Sequence, residues 1–462
     1  MQYHTSNTLR TQQRFIRTQK SATNCLSTFN LLTSDLLFEE LEKQLPEHRE
    51  RLFPPTETLA MFIAQTMSPD RSCQQAVNQA AIQRLVSGLP NCSTNTGGYC
   101  RARQRLPLNM ITNLTGFLGQ QIDQQLPEDW RWQGRRIRLV DGTTVTMPDT
   151  EANQHLFPQQ SGQQAGLGFP ICRIVGITCL SSGAVLNAAI GRYKGKGGDE
   201  QTLLRSIEQS LDAGDILLGD AFYPTYFFIA RMLAQDVDIL MEQQGARKRV
   251  TDFRIGKRLG ERDHVISLNK PKIRPDWVSD EVWYSAPESI SVREFKAGGK
   301  IMVTTLMCPK TAPKKALKAL YKKRWNVELD IRDIKDTMGM NVLSCKTPEM
   351  IIKEIWVGLL AYNLIRLLMM KAATLASILP REISFKHCLQ LWLIWSHQAN
   401  TSDDRILLIV YELMAQQRVG NRPGRLEPRV VKRRSKPYPL LTVPRYQARE
   451  QVIKYGHSKK LK

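Results

Sequence analysis

Between Arg136 and Glu242 the chain passes through three short runs rich in β-branched residues, RIRLVDGTTVTM, FPICRIVGITCL and AVLNAAIGRY, and then alternates helix with strand. Apolar residues bounded by turn formers mark these runs as strands, and Ser181-Ser182-Gly183 between the second and third reads as the turn of a hairpin. The segment DEQTLLRSIEQSLDAG continues with helical spacing and stops at Gly214. DILLGDAFY then reads as a buried strand ending near Asp220, Thr225 to Gln235 as a helix, and VDILME as another strand. Three strands in a meander, then helix, strand, helix and strand, build a mixed α/β sheet with helices on its faces.

The 462 residues are too many for one ordinary domain, and the character of the chain changes at recognisable points. Residues 1–130 read as a helical N-terminal domain, in which LLTSDLLFEELEKQL, TETLAMFIAQTM and CQQAVNQAAIQRLVSG repeat apolar residues at spacings of three and four. The last two are separated by Ser68-Pro69-Asp70, as in a DNA-reading helix-turn-helix or any small helical bundle. Residues 131–245 hold the first part of the α/β core. Residues 246–310 turn polar and strand-like, with VWYSAPESISVREF and KIMVTTLMC as the clearest strands of a β-rich insertion. Residues 311–375 return to helix and complete the core, and residues 376–417 add further helices.

The last stretch, residues 418–462, carries 14 Lys or Arg against Glu427 and Glu450 and is interrupted by Pro423, Pro428, Pro437, Pro439 and Pro444, so it reads as an extended basic arm. The apolar run Ile355 to Met370 contains Asn363 and Arg366, is short for a membrane span, and reads as a buried helix. The N-terminus lacks the apolar stretch of a secretory signal. Nine cysteines without a C-x-x-C pair point to reduced thiols in a cytosol, with Cys172 and Cys179 as core packing.

Sixty-five Lys and Arg against 43 Asp and Glu leave a formal charge of +22, which calls for a polyanionic partner and makes nucleic acid the natural one. Asp141 follows the apolar run IRLV and Asp220 follows DILLG, which places each at the carboxyl end or edge of a strand. Carboxylates on adjacent strands can share hard divalent cations, although a strand-end Asp is equally a turn former or helix cap. On the helix Lys315 to Met338, Tyr321, Arg324, Glu328 and Lys335 fall within a sector of roughly 60° at about 100° per residue. This polar stripe lets Glu328 complete a three-carboxylate site, while a solvated face laced with salt bridges would have the same pattern. Asp330 lies about 200° away from Glu328 and is rejected as a ligand, and Asp333 is a weaker alternative. Trp325 is expected to pack this helix on the core. His155 and His264 lack spaced partners, which excludes a zinc site, and Lys194-Gly195-Lys196-Gly197-Gly198 lacks the pattern of an ATP-binding phosphate loop.

Read in order, Asp141, Asp220, then Tyr321-x-x-Arg324-x-x-x-Glu328-x-x-x-x-x-x-Lys335 resembles the DDE transposases of bacterial insertion sequences, in the insertion-sequence-four group defined by the YREK signature. The spacings are 79 residues from Asp141 to Asp220 and 108 from Asp220 to Glu328, and the likeness spans roughly Arg136 to Met370. The element order likewise resembles the ribonuclease-H-like fold. The resemblance implies a ribonuclease-H-like mixed-sheet core with a β insertion before the glutamate, preceded by the α-helical N-terminal domain. Asp141, Asp220 and Glu328 would be catalytic metal ligands for two Mg²⁺ ions, with Mn²⁺ as a substitute, and Tyr321, Arg324 and Lys335 contacts to the DNA end.

It further implies cleavage and strand transfer of double-stranded DNA, cut-and-paste through a hairpin intermediate, on terminal inverted repeats and target DNA. The acting species would be a homodimer in a synaptic complex, cytoplasmic and nucleoid-associated, with no membrane. Trp277 and Trp283 are candidates for stacking on a flipped base, with sheet packing as the alternative; Tyr223, Tyr193, Lys194 and Lys196 flank the strand ends and could touch DNA or equally be surface residues near a loop; and RLEPRVVKRR resembles the basic C-terminal end of such proteins. Two other readings share some of these features: a catalytically inactive DNA-binding relict of a mobile element, and another ribonuclease-H-like nuclease.

Overall fold

The computed structural model describes residues 52–86, 92–195, 197–398, 404–420 and 441–456, together with positions 40, 43–45 and 88. Most of LLTSDLLFEELEKQL, all of RLEPRVVKRR, and Lys196 lie outside the described residues.

Among the described residues nine strands form one sheet: β1 (Ile137–Thr146), β2 (Ile171–Cys179), β3 (Val185–Arg192), β4 (Ile216–Gly219), β5 (Asp238–Glu242), β6 (Lys257–Gly260), β7 (Asp263–Asn269), β8 (Ser289–Ala297) and β9 (Lys300–Thr304). Their order is β3-β2-β1-β4-β5-β9-β8-β7-β6. The β2–β3 hairpin turns at Gly183, whose φ of 79° suits glycine. β1 pairs antiparallel with β2 and parallel with β4, and β4 parallel with β5, while the other pairs are antiparallel. The meander and the two parallel strands thus follow the sequence reading. The β-rich segment continues the same sheet, with β9 paired to β5 through Leu240↔Thr304, Met241↔Val303 and Glu242↔Met302.

The helices are α1 (Pro55–Met67), α2 (Cys73–Val86), α3 (Gly97–Arg105), α4 (Leu108–Gln124), α5 (Glu151–Leu156), α6 (Glu200–Arg205), α7 (Tyr226–Ala234), α8 (Gly245–Arg249), α9 (Asp280–Ser285), α10 (Lys314–Lys322), α11 (Asn326–Arg332), α12 (Pro348–Leu375), α13 (Phe385–Gln398), α14 (Asp404–Gln416) and α15 (Arg445–Tyr455). Two segments away from the acids depart from the sequence reading in their secondary structure. The segment DEQTLLRSIEQSLDAG is helical only over α6 and a short 3₁₀ turn at Glu208–Ser210. The front of VWYSAPESISVREF is helix α9 because the Ser279 hydroxyl caps Val282 N–H and Asp280 and Glu281 occupy the first turn.

α12 is the hub of the largest core. Its Ile355, Leu360, Leu364 and Leu368 pack with Leu59 and Phe62 of α1, Met110 and Leu114 of α4, and Val145, Cys172 and Val185 of the sheet. At 28 residues it is longer than the sequence reading and long and apolar enough to cross a membrane, but 94% of its apolar window is buried within the fold. That burial makes it a core helix. Asn363 ties it to the sheet, accepting from Val185 N–H at 2.8 Å and donating to Val185 C=O at 2.8 Å.

On one face of the sheet, Val140, Val175 and Leu217 pack with Leu203 of α6 and Phe228 of α7. On the other, Ile137, Leu139, Ile216 and Leu218 pack with Leu317 and Leu320 of α10 and Val327 of α11. Strand alternation places Asp141, Thr143 and Asp220 on this second face, beneath α10 and α11.

Candidate active site

The register Ile137↔Ile216, Arg138↔Leu217, Leu139↔Leu218, continued two residues, brings Asp141 level with Asp220, the residue just past the end of β4. Asp141 is in the middle of β1 rather than at its end, a correction to the sequence reading. β1 runs on to Thr146 because residues 142–146 keep pairing with β2, whereas β4 stops at Gly219. The acid therefore sits where one strand outruns the next. Asp141 Oδ1 accepts from Gly142 N–H at 2.8 Å and Asp220 Oδ1 from Phe222 N–H at 2.9 Å. Burial pushes the Asp141 carboxyl up to about 6; Gly142 N–H and Arg324 oppose the rise, and the nearby charges of Asp220 and Glu200 add to it.

The helix read from Lys315 to Met338 is broken into four pieces, again a correction. α10 passes through a 3₁₀ turn at Lys323–Trp325 into α11, which ends in a π-helical turn at Asp333–Thr337. The stripe nevertheless converges on the two strands. Tyr321 Oη donates to Gly219 C=O at 3.4 Å, Arg324 Nη2 to Glu328 at 3.0 Å and Nη1 to Asp141 at 3.5 Å, and Lys335 Nζ to Thr143 Oγ1 at 3.2 Å. Burial first, opposed by Arg324 and aided by Glu242 and Asp220, pushes the Tyr321 phenol up to about 12, so it is a hydrogen-bond donor at neutral pH. Arg324 is thus the bridge between the first and third acids. Trp325 does not pack on the core: it is 60% exposed, because the 3₁₀ turn rotates it outward.

Asp330 points away from the acids. It is fully buried and pairs with Arg366 at 2.8 Å and Arg381 at 2.5 Å. Asp333 faces the same buried arginine, 3.3 Å from Arg366. Among the described residues no group of three or more His, Cys, Asp or Glu side chains is gathered closely enough to hold a metal ion, since a guanidinium intervenes.

Sequence reasoning missed a fourth acid. The Glu200 carboxylate rests against Gly142, where a Cβ would lie 2.5 Å from Glu200 Cδ, and it accepts from Tyr223 Oη at 3.2 Å. Tyr223 is fully buried rather than a surface residue, and burial, with Glu200, Asp141 and Asp220 around it, holds its phenol well above the ordinary range. The signal available was Gly142 itself, since glycine inside a strand marks close approach by another group.

The remaining candidates are more dispersed. Trp277 and Trp283 both pack on Phe227, with Arg205 over the first ring and Lys270 over the second. Arg173 lies over Tyr193, and exposed Lys194 donates to Ser161. His264 is buried, its Nε2 3.1 Å from Glu294 and its Nδ1 2.6 Å from Ile255 C=O. His155 is exposed.

A sequence profile described as the transposase DDE domain matches residues 132–364, just over half of the chain, and its limits take in β1, β4 and the Glu328 helix. The chain belongs to the DDE transposase family. It is of the insertion-sequence-four type, and it is similar to the transposase InsG for insertion sequence element IS4 of Escherichia coli (strain K12), 28% identical over 405 residues that cover 85% of this chain and 88% of that one. Among solved structures it is similar to the piggyBac transposase in its synaptic complex with hairpin DNA, at 8% identity and a TM-score of 0.43, with 88% of each chain covered. A DDE transposase is an enzyme, and the family uses divalent metal ions.

Proposed function

We propose that this transposase cleaves double-stranded DNA at the terminal inverted repeats of an insertion sequence and joins the freed ends to target DNA, using two Mg²⁺ ions at Asp141, Asp220 and Glu328. The observation that carries this reading is the bridge of Arg324 between Asp141 and Glu328, which brings the helical stripe onto the strand carboxylates. The donor chemistry suits such ions, three carboxylates being hard oxygen ligands, with the Arg324 guanidinium now lying between two of them. Bound there, a pair of divalent ions polarises a phosphodiester and supports in-line attack by water or a 3′-hydroxyl. Mn²⁺ is the expected substitute.

The chain's own residues then divide the work. With Asp141 and Glu328 holding metal, Arg324 would be free to offer its guanidinium fork to a phosphate, since planar bidentate donors match phosphate oxygens. Tyr321 and Lys335, anchored on Gly219 and Thr143, hold the DNA backbone on either side of the acids. Strand order β3-β2-β1-β4-β5, with β2 antiparallel to its neighbours, supports a ribonuclease-H-like core. The net charge of +22 supports DNA as the partner. Helices of the N-terminal domain read the terminal repeat, the basic tail lies on phosphates, a hairpin is the cut-and-paste intermediate, and a homodimer in the cytoplasm, associated with the nucleoid, joins the two ends.

The test is incubation of the purified chain with a labelled duplex carrying the element's end, in Mg²⁺, Mn²⁺ or Ca²⁺, beside an Asp220→Ala variant. Mg²⁺-dependent nicking or joining that disappears in the variant is expected. Tight end binding with no cleavage by the unaltered chain in either Mg²⁺ or Mn²⁺ would replace this reading with that of a DNA-binding relict.

A further inference from the structure

β1 and β4 are paired only as far as Leu139↔Leu218, so the ladder between them stops short of Asp141 and Asp220. Past that point β1 keeps its pairing with β2, while the chain leaves the sheet after Gly219. The spacing of the two acids therefore needs a support other than hydrogen bonds between their own strands.

That support comes from the opposite face of the sheet. Each acid has a glycine beside it, Gly142 after Asp141 and Gly219 before Asp220, and strand alternation turns both glycines toward the face covered by α6 and α7. A Cβ on Gly142 would lie 2.5 Å from Glu200 Cδ, and a Cβ on Gly219 would lie 3.0 Å from Tyr223 Cδ2. The two side chains that take up this room are bonded to each other, Tyr223 Oη donating to Glu200 Oε2 at 3.2 Å. Tyr223 is fully buried, three residues after Asp220. Glu200 opens α6, whose cap Asp199 accepts from Thr202 N–H at 3.0 Å, and Arg173 of β2 lies 3.6 Å from its Oε1. The next residue, Gln201, donates to Phe222 C=O, so the first turn of α6 grips residues 222 and 223 at two points.

We infer that Glu200 and Tyr223 are positioning residues of the acid site. The bonded pair is a strut across the end of the β1–β4 ladder, and it fixes the distance between Asp141 and Asp220 by pressing on the two glycines from behind. It works through shape and one hydrogen bond, not as a further metal ligand. Groups that orient ligands from outside the coordination sphere lower metal affinity when they are removed. This inference rests on the metal-site reading above.

The experiment titrates Mn²⁺ into the full chain by calorimetry, without DNA, for the unaltered protein and for Glu200→Ala, Glu200→Gln, Tyr223→Phe and Asp220→Ala. Thermal unfolding in metal-free buffer checks that each variant is folded. Glu200→Ala should lose about tenfold in Mn²⁺ affinity. Tyr223→Phe keeps the ring against Gly219 and removes only the hydroxyl, so it should lose about threefold. Glu200→Gln can still accept from Tyr223 and should stay within about twofold of the unaltered chain. If Glu200→Gln is as weak as Glu200→Ala, the charge is what matters and the strut gives way to a fourth ligand. Unchanged affinity in Glu200→Ala also overturns the proposal, and should that variant not fold, unchanged affinity in Tyr223→Phe does so in its place. Asp220→Ala reads the metal site itself. If it abolishes binding while Glu200→Ala does not weaken it, the strut fails and the metal reading stands; if it binds Mn²⁺ as the unaltered chain does, both fall.

Discussion

Glu328 and Asp330 are two residues apart on α11, and their surroundings differ in every respect that governs a carboxylate. Glu328 is 34% exposed and has one arginine, on its own helical face at 3.0 Å. Asp330 is fully buried and is gripped by Arg366 from α12 and Arg381 from the following turn, the latter also donating to Leu180 C=O at 2.6 Å. A half-exposed pair in solvent can exchange its partner at little cost, as a metal ligand must. A buried pair cannot, because losing one partner strands the other's charge away from water. One helix therefore carries an exchangeable acid on the face toward the sheet and a locked acid on the face toward α12. The lock sets the roll at which the exchangeable acid is presented.

The largest effect that would break this contrast is Asp330→Ala, which strands Arg366 and Arg381. It should cost about 3–5 kcal/mol in urea or thermal unfolding, and a loss below about 1 kcal/mol would mean that the clamp is not what fixes α11. A third acid sharpens the comparison. Glu57 on α1 is 4% exposed, and burial, only partly offset by Arg84, pushes its carboxyl up to about 7. A raised folded-state value favours the protonated folded protein, so its stabilising contribution is complete below about pH 4.5 and is lost as pH rises through 7. Glu57→Gln should be near neutral at pH 4 and should stabilise by about 3 kcal/mol at pH 8. Parallel unfolding curves for both proteins across that range would remove burial as the cause. The smallest effect on stability is expected from Glu328→Gln, under about 1 kcal/mol. The same variant should abolish Mg²⁺-dependent cleavage, and full cleavage by it would return Glu328 to the role of an ordinary surface residue.

Much of this contrast could be read from the sequence, because helical periodicity alone put Glu328 and Asp330 on opposite faces. Asp141 and Asp220 were legible as strand acids since both follow short apolar runs. Their mutual level was not, because it depends on the parallel register of β1 with β4, and register is a property of two segments together. The exposure of Trp325 escaped for a related reason. An uninterrupted α-helix was assumed, and a single 3₁₀ turn rotates one side chain out of the face predicted for it. Glu200 was hidden by chain distance, 58 residues beyond the glycine that makes room for it. Helix α9 escaped because DEVWYS has apolar and aromatic residues that favour strands, while its Ser279 cap decided otherwise.

The junction of β5 with β9 has a mechanical consequence. Through Leu240↔Thr304, Met241↔Val303 and Glu242↔Met302, the outer four strands are cantilevered from the same beam that carries Asp141 and Asp220. The chain crosses between the two halves through α8 and through the loop after β9, and the hydrogen-bonded seam ties them along the sheet. A load placed on the far strand β6 bends the beam as a whole instead of swinging an arm. The far strand is therefore held at a fixed standoff from the acids.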